Sequence, residues 1–383
     1  MNAIIKELDQ TSMKQWFEHL HGAPELSMQE EKTADYIATI LKELGYDVET
    51  GVGEHGVVGS LTVGDGEHAI GLRADFDALP IQEINALPYK SRVPGVSHLC
   101  GHDAHATMLL GAAKYLAQKR SFNGTVRMIF QPGEETMQGG PAMIKDGLFE
   151  RFPVDAVFGM HNMPGLESGK LYFTPGPTMA AVDNWEIEIT GKGGHGSMPE
   201  LSIDPIVAGS ALVMALQTIV SRNVSPASRA VVTVGAFLAG NAGNVIAHSA
   251  ILRLSIRTTT AEDRDMVLNN IRRLVSTQAE AFGCTSEIRT GVPGAVLIND
   301  QAETEKAAAI ARKTFGPENV VYPGPTYLGS EDFAFMLQKK KGTYCFLGNG
   351  DTKMVHHPEY VFNQDNLLTG AAYWVALTEN YLR

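Results

Sequence analysis

The sequence has few cysteines, no concentrated run of basic residues and no long apolar segment. Three cysteines in 383 residues, Cys100, Cys284 and Cys345, are too few and too scattered for a disulfide framework. A net charge of −12 without a Lys/Arg cluster makes nucleic acid and anionic membranes poor partners. No apolar run approaches the roughly 20 residues that cross a bilayer, and the first residues lack the apolar block of a signal peptide. These absences favour a soluble cytoplasmic protein that binds neither nucleic acid nor a membrane.

The secondary-structure pattern of the first half indicates an α/β domain. Amphipathic helices alternate there with short apolar strands, which is typical of a layer with a largely parallel sheet. The predicted helices cover the N-terminal segment to Gly22, EKTADYIATILKELG from Glu31 and TMLLGAAKYLAQ from Thr107, and the predicted strands begin at Ala69, Thr125 and Val154.

The pattern changes near residue 181 to strand, helix, two strands, helix and strand. This order is typical of a small α+β sandwich of ferredoxin-like type. The chain then returns to a mixed pattern, with a helix from Glu305, a strand from Thr343 and a closing helix from Asn366. We therefore predict one domain from residues 1–181 and 294–383, with residues 182–293 inserted into it.

Side chains that can bind metal follow several predicted strands of the larger domain. Open α/β sheets bind ligands at the carboxyl ends of their strands, so these segments are expected to converge on one crevice. Cysteine, histidine and glutamate together suit zinc or manganese better than magnesium or calcium. The segments are Asp75–Pro80, Gln131–Glu135, His161–Pro164 and Val355–Pro358, with Cys100 and His102 from the stretch HLCGHDAHA.

Each of these features has a simpler explanation when it is taken alone. A carboxylate after a strand is more often a helix cap or a turn residue, and adjacent Glu134 and Glu135 could be a solvated turn. The recurrence of such residues at one architectural position favours a metal site. Within the pair, one carboxylate can bind metal while the other takes a proton from bound water. Two metals about 3.5–4 Å apart would also polarise a carbonyl, an arrangement that suits amide hydrolysis.

The chain resembles the M20 metallopeptidase and amidohydrolase family, in the branch of hippurate hydrolases, N-acyl-L-amino-acid amidohydrolases and plant auxin-conjugate hydrolases. The resemblance implies a zinc-peptidase-like catalytic domain with a mostly parallel central sheet and an inserted ferredoxin-like lid and dimerisation domain. The matching segments, in the family's order, are HGAPELSMQE, LRADFDALPIQE, HLCGHDAHATMLLGAA, FQPGEE, GMHNMP, GKGGHGSMPE, NVIAHSAILRLSIRT, GSEDFAFM and VHHPEYVFN.

The resemblance also implies a two-metal centre that holds zinc or manganese. His356 rather than His357 would be a ligand, because the family motif places its histidine two residues before the proline. Asp77 and His105 would support the ligands from behind. The implied ligands are Cys100, His102, Glu135, His161 and His356.

Catalytic and substrate-binding roles follow from the same resemblance. Glu134 would be the general base, and His195, from its own or a partner subunit, would help stabilise the tetrahedral oxyanion. Asn244 and Arg257 would bind substrate, and Arg257 would hold a free carboxylate; a salt bridge within the inserted domain is the alternative for Arg257.

The leading hypothesis is metal-dependent hydrolysis of the amide bond of N-acyl amino acids or related conjugates, with metal-bound hydroxide as nucleophile. A homodimer through the inserted domain is expected from the resemblance alone. Three alternatives stay open: a di- or aminopeptidase of the same family, an inactive relative that binds a metal or small molecule, and a thiol hydrolase. The thiol hydrolase would use Cys100 with His102 or His105.

Overall fold

The structure is a computed structural model that describes residues 3–383. In this part of the chain the strands are β1 Asp47–Val52, β2 Gly56–Val63, β3 Ala69–Asp75, β4 Gly124–Gln131, β5 Ala156–Pro164, β6 Leu171–Phe173, β7 Gly176–Met179, β8 Ala181–Thr190, β9 Gly194–His195, β10 Ala230–Ala239, β11 Val245–Ile246, β12 Ser249–Thr258, β13 Thr285–Thr290, β14 Leu297–Asn299, β15 Val320–Val321 and β16 Gly342–Gly350. The α-helices are α1 Ala3–Glu7, α2 Gln10–Gly22, α3 Glu31–Glu43, α4 His102–Lys119, α5 Gly139–Lys145, α6 Leu148–Arg151, α7 Pro205–Arg222, α8 Ala261–Ala281, α9 Gln301–Phe315, α10 Phe333–Leu337 and α11 Asn366–Tyr381.

The chain divides into two compact units. The first contains the chain up to Gly176 together with Ile298–Thr326 and Asp332–Arg383, and the second contains Pro177–Leu297 and Tyr327–Glu331. The predicted insert, residues 182–293, lies within the second unit, which extends further at both ends. The role of this unit as a lid and dimerisation domain stays a prediction.

The separate segment Tyr327–Glu331 belongs to the second unit because backbone hydrogen bonds attach it there. The amide of Tyr327 donates to the carbonyl of Thr178 at 2.9 Å, and the amide of Ala180 donates to the carbonyl of Gly329 at 2.9 Å. No local pattern in the sequence indicated this pairing, because it joins positions that lie about 150 residues apart in the chain.

An eight-stranded sheet lies at the centre of the first unit, in the order β1-β2-β4-β3-β5-β16-β6-β15. The neighbouring pairs β4–β3, β3–β5, β5–β16 and β6–β15 are parallel, and the remaining pairs are antiparallel. β5 is buried along its whole length and β3 and β16 along nearly all of theirs, so they appear in the sequence as apolar runs. The predicted α/β class with a mostly parallel central sheet is confirmed.

Two helix predictions in this unit were inaccurate. The N-terminal segment forms α1 and α2 rather than one helix, because the side chain of Asp9 accepts the amide N–H of Ser12 at 3.0 Å and starts a new helix. Met1 and Asn2 of that predicted helix lie outside the described residues. α4 begins at His102 rather than Thr107, so two histidines of the HLCGHDAHA stretch lie in its first turn.

The second unit contains the predicted ferredoxin-like sandwich. β8, α7, β10, β12, α8 and β13 follow one another, and the four strands form an antiparallel sheet in the order β10-β12-β8-β13. Apolar side chains of both helices, such as Leu212 and Ile271, join the core on one face of this sheet with Trp185 and Ile187. Burial of these helix faces fixes where the strands of the second unit lie.

Among residues 3–383, one helix is long and apolar enough to cross a membrane by length and composition alone. This helix is α7, and only about a third of it is buried within the structure. Its buried side chains recur at a spacing of three to four residues and include Ala208, Leu212, Leu216 and Ile219, which pack in the core of the second unit. That spacing is typical of a helix that covers a sheet.

Candidate metal centre and catalytic site

The five predicted ligands lie together in the first unit, near the ends of β4 and β5 and the start of α4. The Sγ atom of Cys100 lies 3.4 Å from Nε2 of His161. Oε1 of Glu135 lies 3.9 Å from Nε2 of His102 and 3.3 Å from Nε2 of His356. The donor atoms form two groups of three, each within 4.8 Å, that share the Cys100 thiol: Cys100–His102–His161 and Cys100–Glu135–His356.

Glu134 places a second carboxylate beside these donors. Its Oε2 atom lies 4.0 Å from Nε2 of His102, and the side chain is buried. Glu134 also forms a further group with His102 and Glu135 whose donor atoms lie within the same 4.8 Å limit. A buried carboxylate in this place can exchange a proton with a molecule held at the neighbouring donors.

Two donor atoms of the group are buried without a hydrogen-bond partner. They are Nε2 of His102 and Oε1 of Glu135. Leaving one buried polar atom unsatisfied costs about 1–3 kcal/mol. A bound cation would satisfy both atoms, and thiolate, imidazole and carboxylate are the donors that divalent transition ions prefer. The residues therefore fit divalent metal binding.

Asp77 orients two of the predicted ligands at once. Its Oδ1 atom lies 2.9 Å from Nδ1 of His102, which leaves Nε2 of that ring toward the other donors. Its Oδ2 atom accepts the amide N–H of Glu135 at 3.0 Å and the hydroxyl of Ser27 at 2.6 Å. Although burial opposes ionisation, these contacts lower the pKa of Asp77, so the carboxylate stays charged.

His105 lies behind the ligands and has both ring nitrogens engaged. Nδ1 lies 2.6 Å from Oδ1 of Asp75, and Nε2 accepts the backbone N–H of Asn162 at 3.0 Å. The side chain of Asn162 in turn donates to the carbonyl of Cys100 at 2.7 Å. His105 is thus not free to bind metal, and it acts on Cys100 through Asn162.

Sequence reasoning placed Asp75 and Asn162 in the converging segments but gave neither residue a role. Asn162 directly follows the predicted ligand His161 in the GMHNMP segment, and Asp75 is the last residue of β3. Neither residue type marks a supporting role by itself, since the signal is the pairing with His105 in space.

Of the two adjacent histidines near the C-terminus, His356 faces the donors. Its backbone N–H donates to the carbonyl of Leu99 at 2.7 Å, and its φ of 68° turns the chain toward Glu135. His357 is engaged elsewhere, because its Nδ1 accepts the amide N–H of Glu359 at 3.1 Å.

Protonation of the donors depends on burial. Burial raises the pKa of the Cys100 thiol well above its ordinary value, and the charge of Glu135 adds to this effect. Burial, together with the nearby His105, lowers the pKa of His161 well below its ordinary value. The imidazole of His161 is therefore in the neutral form that binds metal, whereas the thiol needs a nearby positive charge to ionise.

The predicted residues of the second unit include an exposed histidine and asparagine. Nδ1 of His195 accepts the backbone N–H of Ser197 at 3.1 Å, so the neutral ring carries its proton on Nε2. The carbonyl of Asn244 accepts the amide N–H of Gly196 at 2.8 Å, and this bond holds the two loops together. His195 and Asn244 thus lie on adjoining segments of the second unit.

Arg257, on β12, is half-buried. Its guanidinium donates to the carbonyl of Leu328 and to the hydroxyl of Ser330, both at 3.3 Å. These contacts are with the Tyr327–Glu331 segment rather than with a carboxylate. Arg257 thus forms hydrogen bonds with neutral groups instead of the salt bridge that was considered as an alternative. Burial lowers the pKa of its guanidinium.

A buried histidine ties α2 to the start of α4. Nδ1 of His21 lies 2.6 Å from Oδ2 of Asp103, which follows the predicted ligand His102, and Nε2 lies 3.3 Å from Oε2 of Glu83. Burial alone would lower the pKa of His21, but the charges and hydrogen bonds of Asp103 and Glu83 outweigh it and raise the pKa to about 9. Sequence reasoning did not single out this ion group.

We expect His21 to stabilise the folded chain at neutral pH and to lose that effect in alkali. Because the folded-state pKa is raised from 6.5 to about 9, the contribution is complete below pH 6.5 and disappears as the pH rises through 9. A shift of this size corresponds to at most about 3 kcal/mol. Thermal unfolding of the chelator-treated wild type and His21→Gln should show a gap in Tm that narrows from pH 6 to about pH 9.5.

The control for this experiment is His19→Gln, which changes an exposed histidine of the same helix. His19 has its pKa lowered by burial and by Arg92, so its replacement should produce no gap that closes between neutral pH and pH 9. If the difference in Tm between wild type and His21→Gln stays constant from pH 6 to about pH 9.5, the stabilising role of the His21 ion pairs is contradicted.

Comparison with known proteins identifies the family of the chain. Peptidase family M20/M25/M40 matches residues 71–380. The chain is 44% identical to a hippurate hydrolase of Campylobacter jejuni, over all of both chains, and 38% identical to an N-acetyl-L-cysteine deacetylase of Bacillus subtilis, over 91% of this chain and 83% of the relative. The solved structure of the Bacillus subtilis YXEP protein, a dinuclear metal-binding peptidase of the M20 family, superposes with a TM-score of 0.84 at 33% identity, over 97% of this chain and 98% of that one. The chain belongs to peptidase family M20/M25/M40.

Proposed function

We propose that the chain is a metal-dependent amidohydrolase that cleaves the amide bond of N-acyl amino acids or related amino-acid conjugates. The observation that carries the proposal is the position of Glu134 beside two groups of metal-binding donors that share Cys100. Hippurate is an N-benzoyl amino acid, and N-acetylcysteine is an N-acetyl amino acid. The names of these relatives therefore support this substrate class.

In this proposal the five donors would hold two divalent ions, zinc or manganese. Ions held there would lower the pKa of a water toward about 7 and polarise an amide carbonyl. The thiol favours zinc, whereas imidazole and carboxylate accept either metal. The five donors are Cys100, His102, Glu135, His161 and His356.

Glu134 carries the proton in the proposed reaction. As general base it takes a proton from the attacking water while the C–O bond forms at the acyl carbon. It then delivers that proton to the amide nitrogen as the C–N bond breaks, and the products are a carboxylic acid and an amino acid. Its carboxylate is buried, so little solvent has to be displaced during either transfer.

Three residues of the second unit are proposed to act on the substrate. His195 carries its proton on Nε2, so it can donate to the oxyanion that develops at the carbonyl. The guanidinium of Arg257 can hold the substrate carboxylate, and Asn244 can add a further hydrogen bond.

The alternative of a thiol hydrolase has a weak basis in the structure. Burial raises the pKa of Cys100 well above its ordinary value, and a neutral thiol is a poor nucleophile. An inactive metal-binding relative has no need of Glu134, and that residue is present and buried. A di- or aminopeptidase would differ in requiring a free amine on its substrate, so a substrate panel distinguishes it.

We expect Glu134→Gln to bind metal and to lose turnover. Glutamine keeps the shape of the side chain but cannot accept the proton, and general acid–base catalysis typically contributes about 10²–10⁴-fold. Metal content is measured by plasma mass spectrometry, and kcat is measured with hippurate, N-acetyl-L-cysteine and a dipeptide before and after chelation. Glu150→Gln, an exposed change on α6, is the matched control.

Each outcome of this experiment supports one of the candidate functions. Activity on the acyl amino acids that is lost on chelation, restored by metal and abolished in Glu134→Gln supports the proposal. Near-normal turnover of metal-loaded Glu134→Gln contradicts it. Turnover that resists chelation but not alkylation would identify Cys100 as a nucleophile, and turnover of the dipeptide alone would identify a peptidase.

We also propose a homodimer through the second unit. β10 is an edge strand of the four-stranded sheet, and an edge strand can pair with another chain. Large apolar side chains are exposed on β10 and on α7, among them Leu238, Val207 and Met214, which is 71% exposed. Exposed apolar side chains next to an unpaired strand edge support an interface between copies. A cytoplasmic location is proposed as well, supported by three free cysteines that are all buried.

We expect Met214→Glu to convert the dimer into a monomer. A charge in the centre of an apolar interface is costly to bury, so association weakens by several kcal/mol. Sedimentation velocity at micromolar concentration should show half the wild-type mass. Met354→Glu changes an exposed methionine of the first unit and should leave the mass unchanged. A dimer that persists in Met214→Glu contradicts this interface.

A further inference from the structure

Glu30 is a buried carboxyl group that the proposed reaction does not use. It is fully buried at the start of α3, and its Oε1 atom accepts the backbone N–H of Gly133 at 2.8 Å. Its Oε2 atom is buried without a hydrogen-bond partner. Burial and the charge of Asp77 raise the pKa of Glu30 to about 7. Such a group is costly to keep in a protein core, so its contact with Gly133 needs an explanation.

Gly133 is the residue that directly precedes Glu134. Its carbonyl accepts the amides of Gln138 and Gly139, both at 3.1 Å, and these bonds hold one side of the turn. Its own amide, on the other side of the residue, is held by Glu30. The backbone on the N-terminal side of Glu134 is therefore fixed by both of its polar groups.

Ser27, three residues before Glu30, and Asp77 fix the backbone on the C-terminal side of Glu134. The hydroxyl of Ser27 donates to Asp77, and Asp77 accepts the amide N–H of Glu135. Hydrogen bonds to carboxyl groups thus hold the amides of the residues immediately before and after Glu134. Glu30 makes the first of these bonds without an intermediary.

We infer that Glu30 is a positioning residue, which holds the Gly133–Glu134 peptide so that the Glu134 carboxylate lies in place for proton transfer. Glu30 acts through the Gly133 amide and does not touch the substrate. This inference rests on the proposed function, because it assigns Glu134 the role of general base. An apolar side chain could fill the same space, but it could not accept the N–H of Gly133. The property of Glu30 that matters is therefore its acceptor oxygen.

The test compares two uncharged variants of similar length, Glu30→Gln and Glu30→Met. Glutamine keeps an acceptor oxygen for the Gly133 amide, and methionine does not. Glu30→Gln should keep kcat within about threefold, whereas Glu30→Met should lose about 10–100-fold in kcat with KM little changed, as expected from a displaced catalytic group. Glu31→Met, an exposed change in the first turn of α3, is the matched control.

A second measurement is independent of activity. Amide hydrogen exchange of metal-loaded protein, followed for the peptide 131–138, should be faster by about fivefold in Glu30→Met and unchanged in Glu30→Gln. Unchanged metal content and an unchanged Tm would show that the faster exchange is confined to this peptide. If Glu30→Met does not fold, Glu30→Asp withdraws the acceptor by one methylene and should show the same local exchange and loss of kcat.

The inference is overturned if Glu30→Met keeps wild-type kcat and exchange. It is also overturned if Glu30→Gln loses as much as Glu30→Met, since charge rather than the acceptor would then be the cause. Wild-type turnover on N-acyl amino acids tests the proposed function separately. The exchange of the 131–138 peptide tests the contact of Glu30 whatever reaction the protein catalyses.

Discussion

The buried guanidinium of Arg73 connects β3 with the end of β4 and with the residue before α10. It donates to Asp75 at 2.7 Å, to Gln131 at 2.9 Å and to Asp332 at 3.1 Å. Loss of one partner of a buried ion pair leaves a charge uncompensated and typically costs about 3–5 kcal/mol. β3, β4 and the residue before α10 are thereby held in one arrangement, and Glu134 and Glu135 follow the fixed end of β4.

The charged carboxylate of Asp75 connects Arg73 with the predicted ligands. Burial opposes ionisation of Asp75, but His102, Arg73 and His105 hold the pKa of this carboxyl well below its ordinary value. A charged Asp75 keeps the proton of His105 on Nδ1, so Nε2 stays an acceptor for Asn162. The position of the Cys100 loop therefore depends on an ion pair in the sheet.

The sequence predicted the donors better than the groups that orient them. Glu134 and His161 could be found because Glu134 follows an apolar strand and His161 lies toward the carboxyl end of another, where an α/β sheet places its ligands. Arg73 looked like an ordinary residue within an apolar strand, and Glu30 like the start of a helix. Their roles depend on partners far away in the chain, for example the 103 positions between Glu30 and Gly133, which no local pattern records.

Similar limits explain the remaining differences in the fold. β1 and β2 were not predicted, although β2 pairs with β4 and β1 pairs with β2 at the edge of the sheet. The Tyr327–Glu331 segment joined the second unit through backbone hydrogen bonds with the region of Thr178. By contrast, the six elements of the ferredoxin-like sandwich were predicted in the right order, because strands and helices show different periods of apolar residues, two and 3.6.

Two glycines explain why the short motifs were so informative. Gly101 separates Cys100 from His102 with a φ of 92°, and a Cβ there would lie 2.3 Å from the side-chain nitrogen of Asn162. Gly133 precedes Glu134 with a φ of 60°, and a Cβ there would lie 2.4 Å from the Met28 sulfur. Both turns need a left-handed backbone and close approach to a neighbour, which only glycine allows without strain. Each motif thus encodes its functional side chains and also the turn that directs them to one point.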